Sequence, residues 1–185
     1  DRSLPPIAVA APLLDGNERK YVLECLDTTW ISSGGRFIPL CAQAIAGVSR
    51  CRYGVATNNG TTALHLALVA MGIGPGDEVI VPTLTYIASA NAVRYCGATP
   101  VFVDCEAECF NVDPALVEAK ITPRTKAIMP VHLYGHPVDM DPILELAKRR
   151  GLKVIVDAAE ALGALYKGQP VGALGDCATF SFFGN

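Results

Sequence analysis

The chain has 185 residues, of which 51% are hydrophobic and 18% charged, and its formal net charge is −3. That length suffices for one domain with a sizeable core, and the balance excludes a disordered chain or a basic surface for nucleic acid or anionic membrane. No apolar run approaches the roughly 20 residues that span a bilayer, and Asp1-Arg2-Ser3-Leu4-Pro5-Pro6 has no signal-peptide core.

Residues 1–14 read as an irregular N-terminal arm with three prolines. Asp15 is expected to cap a helix, with Glu18 in capping-box position three residues later. Tyr21, Val22, Cys25 and Leu26 form the expected apolar stripe of that helix. Thr28 to Gly35 is a polar, glycine-bearing loop that carries the only tryptophan. Trp30 is either a packing anchor in a surface turn or part of a substrate-facing loop. A second helix is predicted over about 37–48.

Arg52 to Thr57 reads as a short strand, Asn58 to Thr62 as a small-residue turn, and Ala63 to Met71 as a buried helix. Free backbone N–H groups and the positive end of the helix dipole would converge near Gly60 and Thr61, which suits a phosphate. The turn has neither the Walker lysine nor dinucleotide glycine spacing. Taken alone, a helix cap without ligand is the simpler reading.

Glu78 to Pro82 is a buried strand stopped by proline. Thr83 to Tyr86 then leads into a helix over 87–96. Tyr86 thus stands at a strand end, where open α/β sheets place ligands; the alternative is a half-buried core aromatic. Further strands are predicted over 99–104, 126–131, 152–157 and 178–183, with helices over 114–120 and 139–150. Ile143, Leu144, Leu146 and Ala147 form the apolar side of the last helix. His132 and Tyr134 lie at the carboxyl end of the 126–131 strand, where a core or supporting role is the simpler reading for each.

Strands and helices alternate, and the apolar runs are continuous rather than alternating. Such strands are covered on both faces, so the sheet is mostly parallel. Seven cysteines are scattered without a Cys-x-x-Cys pair. They read as reduced thiols in or near the core, with no metal site expected.

Asp157 closes the apolar run Val154-Ile155-Val156. A carboxylate there is costly without a partner. A protonated pyridine nitrogen, as in pyridoxal phosphate (PLP), would be one. A side-chain cap on the next segment is the alternative.

The phosphate-type turn, the strand-end aromatic, the strand-final aspartate and Ser181 near the last strand share one chain in that order. On these residues the chain resembles PLP enzymes of the aspartate aminotransferase fold. It is closely similar to the sugar aminotransferases of the DegT/DnrJ/EryC1/StrS type. The matching stretches are NNGTTALHLAL, GDEVIVPTLTYIASANAV, GATPVFVD, TKAIMPVHLYG, VIVDAAEALGA and GDCATFSFFGN, with Trp30 to Gly34 extending the match.

The resemblance implies an α/β chain holding the N-terminal arm and most of the PLP-binding large domain, a mostly parallel mixed sheet between helices. A small C-terminal domain would lie outside residues 1–185. It implies PLP as cofactor, with Gly60, Thr61 and Ser181 on its phosphate and Tyr86 stacked on its ring. Asp157 would pair with the ring nitrogen, and Glu160 would reach the phenolic oxygen. The Schiff-base lysine would directly follow Asn185. Trp30, Ser32 and Ser33 would line the substrate side. The implied activity is amino transfer from L-glutamate to a nucleotide-linked 4-keto-6-deoxysugar, nearest to the branch that uses a GDP-sugar. A cytoplasmic homodimer with a shared active site is implied as well. Three rivals stand beside this reading. One is a dehydratase of the same fold with histidine in place of the lysine. The others are a non-catalytic nucleotide-sugar binder or regulator and an ordinary nucleotide-binding α/β domain.

Overall fold

A computed structural model describes residues 11–183. Five strands form one sheet: β1 (Glu78–Pro82), β2 (Thr99–Val103), β3 (Thr125–Ile128), β4 (Lys153–Asp157) and β7 (Cys177–Thr179), in the order β2-β1-β3-β4-β7. Every pairing in it is parallel. A separate two-residue hairpin, β5 (Leu165–Tyr166) with β6 (Gln169–Pro170), sits beside it.

The continuous apolar runs pack on both faces of the sheet, as their lack of alternation requires. Val79, Val81, Ala127 and Ile155 point to one side, against Leu64 and Leu68 of α3 (Gly60–Ala70) and Ala92 and Val93 of α4 (Ala88–Tyr95). Ile80, Ile128, Val154 and Val156 point to the other, against Ile143, Leu146 and Ala147 of α6 (Met140–Arg150) and Val117 of α5 (Pro114–Val117). Leu144 is only partly buried. Gly151 in the left-handed region ends α6, with basic Lys148, Arg149 and Arg150 in its last turn, where the helix dipole favours cations.

Several expectations change. Helix α1 (Glu18–Asp27) has Asn17 at its cap position and no side-chain capping bond, so Asp15 does not cap it. The Glu18 carboxylate instead accepts the Gly16 N–H at 2.9 Å. None of Tyr21, Val22, Cys25 and Leu26 is fully buried. Among the described residues, the aromatic contact of this stripe is Tyr21 on Phe37 of α2 (Phe37–Val48), with ring centroids 4.9 Å apart. Arg36 at the start of α2 also pairs with Glu24 of α1 at 2.5 Å and 2.7 Å, and among the described residues nothing else covers the groove between the two helices.

Arg52 to Thr57 is not a strand among the described residues. Gly54 is pressed against α2, so closely that a Cβ there would lie 2.2 Å from the Ala42 carbonyl oxygen. No described strand faces the segment, and a strand without a ladder partner does not form. The last strand also stops earlier than expected, at Thr179, and Phe182 and Phe183 are exposed. Residues 184 and 185 lie outside the described part, as do residues 1–10 of the predicted arm. Of the seven cysteines none is fully buried, and Cys41 is exposed.

Candidate active site

All five parallel strands end at one edge, and several of the residues singled out above gather there. Asp157 is the last residue of β4 and stands opposite Thr179 of β7. Ser181 follows two residues later. On its other side Asp157 is tied to the extension of β3: its N–H donates to Pro130 O at 2.9 Å, and its carbonyl accepts the His132 N–H at 3.0 Å.

The Asp157 side chain is 4% exposed. Burial pushes its carboxyl up from the usual range, and the nearby Glu160 charge adds to that. Two donors oppose the shift. Ser89 Oγ donates to Oδ2 at 2.7 Å, and the Ala159 N–H donates to Oδ1 at 3.2 Å. The capping alternative for Asp157 is therefore partly real, since one oxygen does hold the following backbone. Each oxygen still has a lone pair to offer a cation.

Ser89 escaped the sequence reading. It is a small polar residue in a run of small residues, and its partner lies 68 positions away. The one local signal is its place three residues after Tyr86. Tyr86 itself is 78% exposed, so the buried-core alternative for it does not hold. Its carbonyl accepts the Ser89 N–H at 3.3 Å, which fixes the loop between β1 and α4.

The turn before α3 joins this edge through Ser181. A Cβ on Gly60 would lie 2.8 Å from Ser181 Cβ and 3.1 Å from its Oγ, so only glycine permits the approach without a shift. Asn59 caps α3 by accepting the Thr62 N–H on its side chain at 2.9 Å. That uses one of the free donors of the first turn. The N–H groups of Gly60 and Thr61 and the Ser181 hydroxyl have no partner among the described residues. They can take an anion, which the helix dipole also favours. Asn59, Gly60 and Ser181 line a cavity of about 450 Å³ between α2, α3 and the end of β7.

Glu160 is exposed, and its Oε2 accepts the Tyr134 N–H at 2.7 Å. Tyr134 has φ +50° and a mostly exposed ring. Trp30 and Ser32 line the groove between α1 and α2, which shares only Cys41 with the cavity at Ser181. Ser33 does not line that groove. The Trp30 ring packs over Gly34, where a Cβ would lie 2.9 Å from Cζ3. Within this one chain, then, the Trp30 loop does not meet Asp157.

His132 is wholly buried, and its Nδ1 accepts the Val138 N–H at 3.1 Å. Nε2 has no partner among the described residues. Burial, helped by the His136 charge, pushes the imidazole down from its ordinary 6.5 to about 4. The folded protein therefore leaves His132 neutral between those values while the unfolded chain protonates it. Stability must fall as pH drops through that window, by about 3 kcal/mol from this residue. His132→Asn keeps an acceptor for Val138 and should flatten the acid limb. Urea titrations between about pH 4 and about pH 7 check this; an acid limb as steep as the parent's would refute it.

The edge thus offers a buried carboxylate for a cation, an anion seat at a helix start, and an exposed aromatic on the loop that leads to Ser89. PLP has a matching charge pair, an anionic phosphate and a basic ring nitrogen, on an aromatic ring. The donor set fits it.

Known proteins agree with this chemistry. Residues 12–185 match the model of the DegT/DnrJ/EryC1/StrS aminotransferase family. A GDP-perosamine synthase of Caulobacter vibrioides is 71% identical over 182 residues, covering 98% of this chain and 49% of that protein. A GDP-perosamine synthase of Escherichia coli O157:H7 is 58% identical, covering 97% and 49%. Spr1654 of Streptococcus pneumoniae, solved in its PLP form, superposes with a TM-score of 0.89 at 35% identity, covering 96% of this chain and 49% of that one. The chain spans about half the length of the curated relatives it matches. Its fold is that of the large domain of PLP-dependent aminotransferases, and the chain belongs to the DegT/DnrJ/EryC1/StrS aminotransferase family.

Proposed function

We propose that the protein carrying this chain is a PLP-dependent aminotransferase that moves an amino group from L-glutamate to a nucleotide-linked 4-keto-6-deoxysugar. The acceptor is GDP-4-keto-6-deoxymannose and the product GDP-perosamine, a building block for cell-surface polysaccharide such as O-antigen. The observation that carries this reading is the 71% identity to a GDP-perosamine synthase across 98% of the chain. The buried Asp157 carboxylate at the strand edge supplies the chemical reason. No helix among the described residues is long and apolar enough to cross a membrane, in keeping with a cytoplasmic enzyme that uses soluble nucleotide sugars.

In this reading bound PLP supplies an electron sink for the carbon that loses its proton. Asp157 accepts from the protonated ring nitrogen and holds it cationic. Gly60 and Thr61 donate backbone N–H groups to the phosphate, and Ser181 adds its hydroxyl. Tyr86 lies on the ring face. Glu160, whose Oε2 holds the Tyr134 N–H, would reach the phenolic oxygen. Trp30, Ser32 and Ser33 line the substrate side of a site shared between two copies of the protein. The exposed apolar residues Leu23, Leu26, Ile31, Ile38 and Leu40 of α1, α2 and the loop between them support such a homodimer.

The test is direct. The protein is incubated with L-glutamate and GDP-4-keto-6-deoxymannose, and products are followed by mass spectrometry. The expected result is GDP-perosamine and 2-oxoglutarate in equal amounts, with a lysine found modified by PLP after borohydride reduction. A deoxygenated sugar and no amino sugar would replace this reading with the dehydratase. Absence of any turnover and of any trapped lysine would favour a binding protein.

A further inference from the structure

We propose that Ser89 is a positioning residue for Asp157: its hydroxyl, oriented by Thr85, holds the carboxylate turned toward the ring nitrogen of the cofactor. The inference rests on the reading of Asp157 as the partner of that nitrogen.

Ser89 is the second residue of α4 and is 1% exposed. A helical serine normally bonds a carbonyl of its own preceding turn. Here the Tyr86 carbonyl is available to Ser89 Oγ at 3.4 Å, but the Asp157 Oδ2 is closer, at 2.7 Å. A hydroxyl has one proton, and the shorter, charge-assisted bond takes it. An ionised carboxylate can only accept, so Ser89 is the donor. Its lone pairs are then free to accept from Thr85 Oγ1, 3.2 Å away. The resulting chain, Thr85 to Ser89 to Asp157, starts in the loop that carries Tyr86. It couples the ring-face residue to the nitrogen partner.

The geometry matters because, among the described residues, Asp157 has only two neutral donors against a full burial cost. With Ser89 on Oδ2 and the Ala159 N–H on Oδ1, the plane of the carboxylate is set from both ends. Without Ser89 one oxygen loses the donor it has among the described residues, the group is free to turn, and its anionic form loses support. The titratable groups nearest Asp157 do not replace that support. Glu160 is a like charge. His132 holds Asp157 through backbone alone, and its ring is neutral above about 4. Loss of the Ser89 hydroxyl therefore moves the protonation of Asp157 to higher pH.

The experiment titrates the cofactor-free protein with PLP, read by absorbance, across pH. Ser89→Ala is expected to weaken binding about tenfold and to move the acid-side loss of binding up by about one pH unit. Ser89→Thr, which keeps the hydroxyl, is expected to restore the acid limb. In the Asp157→Asn background the same Ser89→Ala change is expected to add nothing, because Ser89 acts through the carboxylate. Binding and acid limb unchanged in Ser89→Ala would overturn the proposal. So would an equal loss in both backgrounds, which marks a merely structural residue. A parent protein that binds no PLP at all would overturn the functional reading itself, and this inference with it.

Discussion

Asp157→Asn is expected to lower turnover by about 100- to 1,000-fold, the usual effect of removing one preorganised charge contact from a reacting system. The substitution keeps size and shape. Its carbonyl can still accept from Ser89 or from the Ala159 N–H, so the strand end stays in place. What disappears is the negative charge that holds the ring nitrogen protonated.

The stability effect runs the other way. Burial raises the Asp157 carboxyl above its ordinary 3.8. A carboxyl raised on folding adds stability only while it is protonated, below its unfolded value, and that gain is lost as pH rises through the folded value. At neutral pH the cofactor-free protein therefore bears the cost of that raised, buried carboxyl, and the amide relieves it. Thermal melts of the cofactor-free proteins should show the variant at least as stable as its parent. Turnover near the parent level would end the assignment of Asp157 to the ring nitrogen.

Gly60→Ala is expected to weaken PLP binding by at least about tenfold, the value of one charge-assisted hydrogen bond lost. The added Cβ would fall 2.8 Å from Ser181 Cβ, and a β-carbon cannot swing aside as the end of a long side chain does. Ser181 or the start of α3 must move, so the two arms of the phosphate seat separate. Overall stability changes less. Alanine gains about 1 kcal/mol over glycine in a helix, which offsets part of an overlap costing about 1–3 kcal/mol. Calorimetric titration with PLP and a urea melt separate the two effects. Binding unchanged by the substitution would show that Gly60 and Ser181 are not the phosphate seat.

Both predictions concern residues visible from the sequence, and the reason is physical. Asp157 stands out because a carboxylate at the end of three buried β-branched residues demands a partner. Gly60 stands out because a small-residue turn before an apolar helix leaves donors free. Ser89 did not stand out. Its chemistry depends on a carboxylate 68 residues away, and nothing in the local pattern Ala88-Ser89-Ala90 distinguishes a buried donor from a filler. Tyr86 lay between: its place at a strand end was legible, but its exposure depended on which side of the β1–α4 loop the chain turned.

The same division holds for the fold. Local composition alone specified the long periodic elements. Helix α2 lies where its apolar run predicts, over Phe37–Val48, and β1 and β4 fall on the continuous apolar stretches that end in Pro82 and Asp157. Those runs bury both faces, so they permit only a covered parallel sheet. What the sequence could not decide was anything that needs a neighbour. Arg52 to Thr57 has the composition of a strand but stays irregular, because a strand exists only when another supplies its ladder. The α1 stripe is apolar yet open, because its periodicity says which side must be covered and not what covers it. Asp157, Ser89, Gly60 and Ser181 come from four separate stretches. Only the parallel order β2-β1-β3-β4-β7, which ends every strand at one edge, brings them together.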